Sequence, residues 1–174
     1  YVFLTDLKGW EHGITKKTKL IYLETPSNPL NEIADLEGIA KLAKQFKVIT
    51  IVDNCLCTPV IQKPLNHGID LVLHSATKFI DGQGRVLAGA VIGKTKLIAK
   101  IKIIVRTSGP ALAPFNAWIL FRSLETLSVR MNAQSESAFK IASWLEKNEQ
   151  ISQVFYPGLE SNPQHKIAMY QQSN

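Results

Sequence analysis

Four short stretches of the chain are rich in apolar and β-branched residues, and each stops at a polar or glycine-bounded turn. They are "KLIYLETP" (Lys19–Pro26), "VITIVD" (Val48–Asp53), "IDLVLHS" (Ile69–Ser75) and "GAVIG" (Gly89–Gly93). Runs of this length and composition predict strands, and the nearly continuous apolar character of the second and third predicts parallel strands buried on both faces. Between the first two, Leu36, Ile39, Ala40, Ala43 and Phe46 recur at helical spacing, and Asp35 stands where a capping side chain belongs. Strand, helix and strand with short connections predict right-handed βαβ units in an α/β sheet.

From Lys94 onward the pattern turns helical. "KTKLIAKIKIIVR" (Lys94–Arg106) is amphipathic, and "PFNAWILFRSLETLSVRMNAQSESAFKIASWLEK" (Pro114–Lys147) predicts about nine turns of one helix opened by proline. So long a helix suits a link between two units. "QVFYPGL" (Gln153–Leu159) predicts a strand entering the second of them. The expected organisation is a main α/β unit over 1–125, a linking helix over 126–150 and the beginning of a smaller C-terminal domain over 151–174. The chain carries no internal repeat and no low-complexity tract.

Composition narrows the function classes. With 174 residues, 45% of them hydrophobic, the chain can build a real core. The balance of 20 basic and 14 acidic residues leaves +6, but Lys16, Lys17, Lys41, Lys44, Lys94, Lys96 and Lys100 are scattered and not interleaved with aromatics. That argues against a nucleic-acid groove and for a mildly basic surface that attracts anionic metabolites. Cys55 and Cys57 share a face in an extended segment and stand too close for an unstrained bridge, so neither a disulfide nor a metal site is expected, and free thiols indicate a reducing, cytoplasmic setting. No run of about 18 apolar residues predicts a membrane span, and "YVFLTDLKGW" lacks the signal-peptide pattern. With no initiator Met and an ending at "MYQQSN" without a structural stop, the chain reads as an internal piece of a longer protein.

Ligands of open α/β sheets sit beyond the carboxyl ends of the parallel strands. Three strands here end in "ETPSNP", "VDN" and "HSATK", which offer the Asn28 amide, the Asp53 carboxylate, the Ser75 and Thr77 hydroxyls and the Lys78 amine. Each has a plain alternative: a solvated lysine, a capping aspartate, an Asx turn at Asn28, hydroxyls bonded to their own backbone. Together they are the set that a pyridoxal phosphate (PLP) site requires, with a lysine for the Schiff base, an acid for the pyridine nitrogen and small donors for the phosphate.

"ETPSNP", "VDN" followed by "TPVIQKPL", "HSATK", "SGPALAPFNAW" and "SLETLSVRM" occur in an order and spacing that resemble the PLP enzymes of cysteine and methionine metabolism, the transsulfuration family. The resemblance spans nearly the whole chain. It implies the large domain of a fold type I PLP-dependent transferase over 1–125, incomplete, with the start of the small C-terminal domain. It also implies that Lys78 carries the cofactor and shuttles protons, its neutral amine favoured by burial. Asp53 would hold the pyridine nitrogen protonated, Ser75 and Thr77 would bind the phosphate, and Asn28 would reach the phenolic oxygen. His74, opposite Ser75 on an extended strand, is assigned to packing.

Within the family, "FIDGQGRVLAG" after the lysine, where most members have Gly-His, and the Cys-Thr-Pro of "VDNCLCTP" are similar to the O-succinylhomoserine sulfhydrylase branch. That branch replaces succinate by sulfide to give homocysteine, a step of methionine biosynthesis. Cystathionine γ-synthases, which take cysteine, and the γ-lyases use the same five groups, and a catalytically inactive α/β fragment is the alternative of another class. Family members are much longer and assemble as homo-oligomers, commonly dimers of dimers, with phosphate-binding groups shared between subunits. Arg130 is read as a structural ion-pair former, Arg85 as solvated or in reach of the substrate's distal acid, and Arg106 is left open.

Overall fold

The computed structural model describes residues 3–173. Helix α1 (Leu7–Gly13), capped by Asp6, leads to strand β1 (Leu20–Glu24), helix α2 (Leu36–Phe46) and strand β2 (Ile49–Asp53). A single turn, α3 (Thr58–Ile61), and a 3₁₀ turn (Pro64–His67) connect to β3 (Leu71–Ser75). A wide π-type turn (Ala76–Ile80) and a loop return the chain to β4 (Gly89–Gly93). The remainder is helical: α4 (Thr95–Ser108), α5 (Pro114–Leu124), α6 (Leu127–Glu146) and α7 (His165–Gln171).

The fold is α/β. The sheet runs in the order β1-β2-β3-β4, parallel through the first three strands and antiparallel at β4. All four predicted strands are present, and Asp35 caps α2 as expected, its Oδ1 accepting from Gly38 N at 2.9 Å. One face of β1 and β2 packs against α2 through Ile21, Leu23, Leu36, Ile39, Ala43 and Val52. Leu36 and Ile39 are fully enclosed, and burial of side chains this size contributes about 1.5–3 kcal/mol each.

Three expectations are corrected. Strand β2 is not buried on both faces, since its residues alternate between half-buried and buried, whereas β3 comes close to the expectation with Leu71, Val72 and His74 buried and Leu73 and Ser75 half-buried. The long helix from Pro114 is two helices, parted at Glu125 and Thr126. Thr126 leaves the helical range (φ −105°, ψ 0°), its hydroxyl donates to Ser123 O, and the Arg130 guanidinium takes the same carbonyl at 3.1 Å. Hydroxyl competition of this kind opens the backbone ladder. Gln153–Leu159 forms no strand, since Pro157 has no N–H to give and the segment closes as a turn, Leu159 N to Tyr156 O at 3.1 Å.

Two buried polar arrangements fix the loops around the sheet. Gln62 donates through Nε2 to Thr25 O (2.8 Å) and to Asn54 Oδ1 (2.9 Å), while Asn54 Nδ2 donates to the carbonyls of Thr58 and Gln62. This knot joins the turns that follow β1 and β2. From the other end of the sequence, Gln164 Oε1 accepts from Ile33 N at 2.9 Å, and Gln171 bonds Leu36 N (2.8 Å) and Ala34 O (2.9 Å). Those two amides stand in for the backbone partners that the extended segment before α2 lacks.

Candidate active site

The carboxyl ends of β1, β2 and β3 lie side by side, with Glu24 paired to Asp53 and Asp53 to Leu73. Asp53 is held at both oxygens: Cys55 N donates to Oδ1 at 3.0 Å and Tyr22 Oη to Oδ2 at 3.2 Å. Cys55 Sγ in turn accepts from Ser75 N, so the thiol couples the end of β2 to the end of β3. Burial foremost, together with the Asp53 carboxylate, pushes the Cys55 thiol up to about 11, while the Lys78 charge pulls the other way. These contacts join Asp53 and Ser75 through Cys55, with Lys78 three residues beyond Ser75 and close enough for its charge to be felt at the thiol.

Lys78 sits inside the wide turn with non-helical backbone angles (φ −85°, ψ −115°). Contrary to expectation its side chain is exposed, because only Ala76 and Ile80 of this turn reach the interior. The residues before it are tied to the returning loop: Ala76 N and Thr77 N both donate to Ala88 O, and Thr77 Oγ1 accepts from Ala88 N at 3.0 Å. The Thr77 proton faces only Ala88 O at a long 3.3 Å and can turn to another acceptor. Asn28 stands apart from the sulfur-centred cluster, its side chain exposed and its amide N donating to Glu24 Oε2 at 3.2 Å. It makes no Asx turn; the turn is closed by Ser27, whose Oγ accepts from Glu32 N.

Three arginines and a histidine take definite positions. Arg85 is exposed, as expected, but not free: its guanidinium pairs with the fully buried Asp81 carboxylate at 2.9 Å and donates to Ser123 Oγ. Burial alone would raise the Asp81 carboxyl, but hydrogen bonds from the Arg85 and Gln83 amides and from the Arg85 side chain carry it below its ordinary value. Arg130 makes no ion pair among the described residues, which corrects its assignment; it donates to the carbonyls of Phe79, Ile80 and Ser123. Arg106 is exposed in the last turn of α4. His74 is buried as expected, with Nδ1 unpartnered, against an apolar cavity of ≈ 510 Å³ that also meets Ile80, Leu120 and Leu124.

Over residues 1–174 the sequence matches the Cys/Met metabolism PLP-dependent enzyme family. The chain belongs to that family. The O-succinylhomoserine sulfhydrylase of Pseudomonas aeruginosa is 48% identical over 99% of this chain and 43% of its own length. The cystathionine beta-lyase of Coxiella burnetii is 42% identical over 98% of this chain and 45% of its own. The solved structure of cystathionine gamma-lyase from Lactobacillus plantarum, complexed with L-serine, superposes with a TM-score of 0.96 at 40% identity, covering 99% of this chain and 46% of that one. The chain thus spans less than half the length of the relatives it matches.

The donor set fits the cofactor of this PLP-dependent family. The Lys78 amine, the Ser75 hydroxyl and the Asn28 amide make no side-chain hydrogen bond among the described residues, and each Asp53 oxygen keeps a lone pair beyond the one bond it accepts. The sequence reading missed Tyr22 and treated Cys55 as an isolated thiol. The available signals were spacing alone, with Tyr22 two residues before the end of its strand and Cys55 two residues after Asp53.

Proposed function

We propose that the protein to which this chain contributes catalyses γ-replacement on O-succinylhomoserine: the Cγ–O bond breaks, succinate leaves with the electron pair, and hydrosulfide forms the Cγ–S bond of homocysteine. The observation that carries the reading is that a doubly anchored carboxylate and a hydroxyl with no side-chain partner are joined through one thiol at the end of the sheet, in the turn that carries an unpartnered lysine amine three residues on. Identity of 48% to a sulfhydrylase, against 42% to a cystathionine beta-lyase, supports this branch. When bound, PLP supplies an electron sink for negative charge at the substrate's Cα.

The residues divide the work. Lys78 would bear the cofactor, and its amine, when free, would take the proton from the substrate's Cα and hold it for return to the substrate. Asp53, its orientation fixed by Tyr22 and Cys55 N, would accept from the pyridine N–H and keep that nitrogen protonated. Ser75 and Thr77 would donate to the phosphate, and Asn28 would donate to the phenolic oxygen. Sulfide is the second substrate in this reading, and the working form is a cytoplasmic homo-oligomer, a dimer of dimers. Among the described residues no helix is long and apolar enough to cross a membrane.

The test uses the full-length protein with PLP. Borohydride reduction is expected to leave a pyridoxyl label on Lys78, and O-succinylhomoserine with sulfide is expected to yield homocysteine. Release of a keto acid and ammonia from cystathionine or methionine, with no homocysteine made from O-succinylhomoserine and sulfide, would move the protein to the lyase branch. No label at Lys78 would remove the cofactor assignment altogether.

A further inference from the structure

We propose that Arg130, seated against Gly82, is a positioning residue that fixes the turn presenting Lys78. Its Nη1 donates to Phe79 O at 2.7 Å and its Nη2 to Ile80 O at 3.0 Å, the carbonyls of the two residues that follow the lysine. The same guanidinium reaches Ser123 O (3.1 Å) and, through Nε, Thr126 Oγ1 (3.1 Å). Every acceptor is uncharged, so the interaction is a planar fork spread over main-chain dipoles, for which arginine is suited and lysine is not.

Gly82 makes the seat possible. A Cβ there would stand 2.3 Å from Arg130 Nη1 and 2.8 Å from its Cζ, and the residue has φ +75°, a conformation open to glycine and costly for other residues. Gly82 N also closes the turn on Lys78 O at 2.7 Å. On the upstream side, Ala76 and Thr77 are bound to Ala88. Lys78 is therefore the residue between two restrained flanks, and its freedom lies in its side chain. An amine that must reach successive atoms of one substrate gains from a backbone that does not move, because misplacement by about 1 Å can cost about a hundredfold in rate.

The role rests on the proposed function of Lys78, and the experiment separates the two. In the full-length enzyme, Arg130→Lys, Arg130→Ala and Gly82→Ala are compared with Arg122→Ala, which removes a cation of the neighbouring helix whose partner is the surface Glu125. Hydrogen exchange of the peptide over 76–82, measured without PLP, is expected to quicken about tenfold in Arg130→Lys while the peptide over 127–146 keeps its protection. With PLP, kcat is expected to fall about a hundredfold at nearly constant KM, with partial recovery of Arg130→Ala by added guanidinium. Arg122→Ala is expected to match wild type in both measurements. Unchanged exchange over 76–82 would overturn the proposal, as would faster exchange with undiminished kcat in a protein labelled at Lys78. A wild-type enzyme without the Lys78 label would instead remove the functional reading, and the positioning role with it. Arg130→Lys keeps the charge and much of the stem, so it remains informative if Arg130→Ala does not fold.

Discussion

Tyr22 on β1 and Asp53 on β2 meet on a diagonal, since Tyr22 is paired in register with Ile51 yet its hydroxyl reaches the Asp53 carboxylate two residues further along. Diagonal neighbours across strands lie within reach of an aromatic side chain. Burial first, and then the Asp53 charge, raise the Tyr22 hydroxyl above its ordinary value, so it remains a donor throughout the neutral range. Tyr22→Phe is expected to lower kcat about twofold to fivefold, the lower end of the ordinary hydrogen-bond scale, because Tyr22 is half exposed and Asp53 keeps its other anchor. Asp53→Asn removes the charge itself and is expected to cost about a hundredfold or more. Steady-state kinetics of the two variants with PLP would check the ranking, and equal losses would make Tyr22 more than an orienting group.

Lys78 is exposed, and its amine makes no hydrogen bond or ion pair among the described residues. Its removal has nothing to unpack. Lys78→Ala is expected to change unfolding free energy by no more than about 0.5 kcal/mol while abolishing turnover. Urea unfolding beside an activity assay distinguishes this from a structural lysine, whose loss would lower both.

His74 supplies a pH signature. Burial holds its imidazole below the ordinary value, against the opposing pull of Asp53 and the Asn54 backbone, and Nδ1 has no partner to favour a proton. A depressed folded-state value means that the unfolded chain takes up the proton first. The contribution is therefore intact above the unfolded value of about 6.5 and is lost as pH falls from there through the lower folded value, with a limiting slope of about 1.4 kcal/mol per pH unit. Denaturant melts at pH 7.5, 6.0 and 5.0 are expected to show that loss, and His74→Leu to show less of it. An identical pH profile in the variant would exonerate this residue.

Cys55 and Cys57 are both buried and unpaired. Burial pushes the Cys57 thiol up to about 12, and burial with the Asp53 carboxylate pushes Cys55 up to about 11. At pH 8 only about one part in a thousand or less of either is thiolate, against about a quarter of an ordinary cysteine of pKa 8.5. Iodoacetamide at pH 8 is expected to leave both unmodified in the native protein and to modify both in denaturant, read by peptide mass spectrometry. Fast native alkylation of Cys55 would show that the coupling between Asp53 and Ser75 opens readily.

The strands were legible because β-branched runs announce themselves locally, and the cap of α2 was legible because Asp35 needs only its own next three residues. What escaped the sequence depends on partners far along the chain. The break at Thr126 is reinforced by Arg130, whose other bonds are to residues 50 and 51 positions away. The half-exposed face of β2 could not be read from "VITIVD", since a continuous apolar run does not state whether a second layer covers the strand. In the site, residue types at strand ends were readable, whereas the sulfur joining Asp53 to Ser75 and the arginine gripping the turn after Lys78 are products of tertiary contact.

The glutamines of the C-terminal segment also set a timetable. Leu36 N waits for Gln171 and Ile33 N for Gln164, partners 135 and 131 residues downstream. A ribosome adds about 5–20 residues per second, so these amides spend roughly 7–27 s of synthesis before their acceptors exist. Over that interval the segment ahead of α2 has only water to satisfy it, and the nascent chain is open at the place that α7 later closes. Chaperone occupancy or protease cutting at 31–36 should therefore mark chains arrested before Gln171 and disappear from those that extend past it.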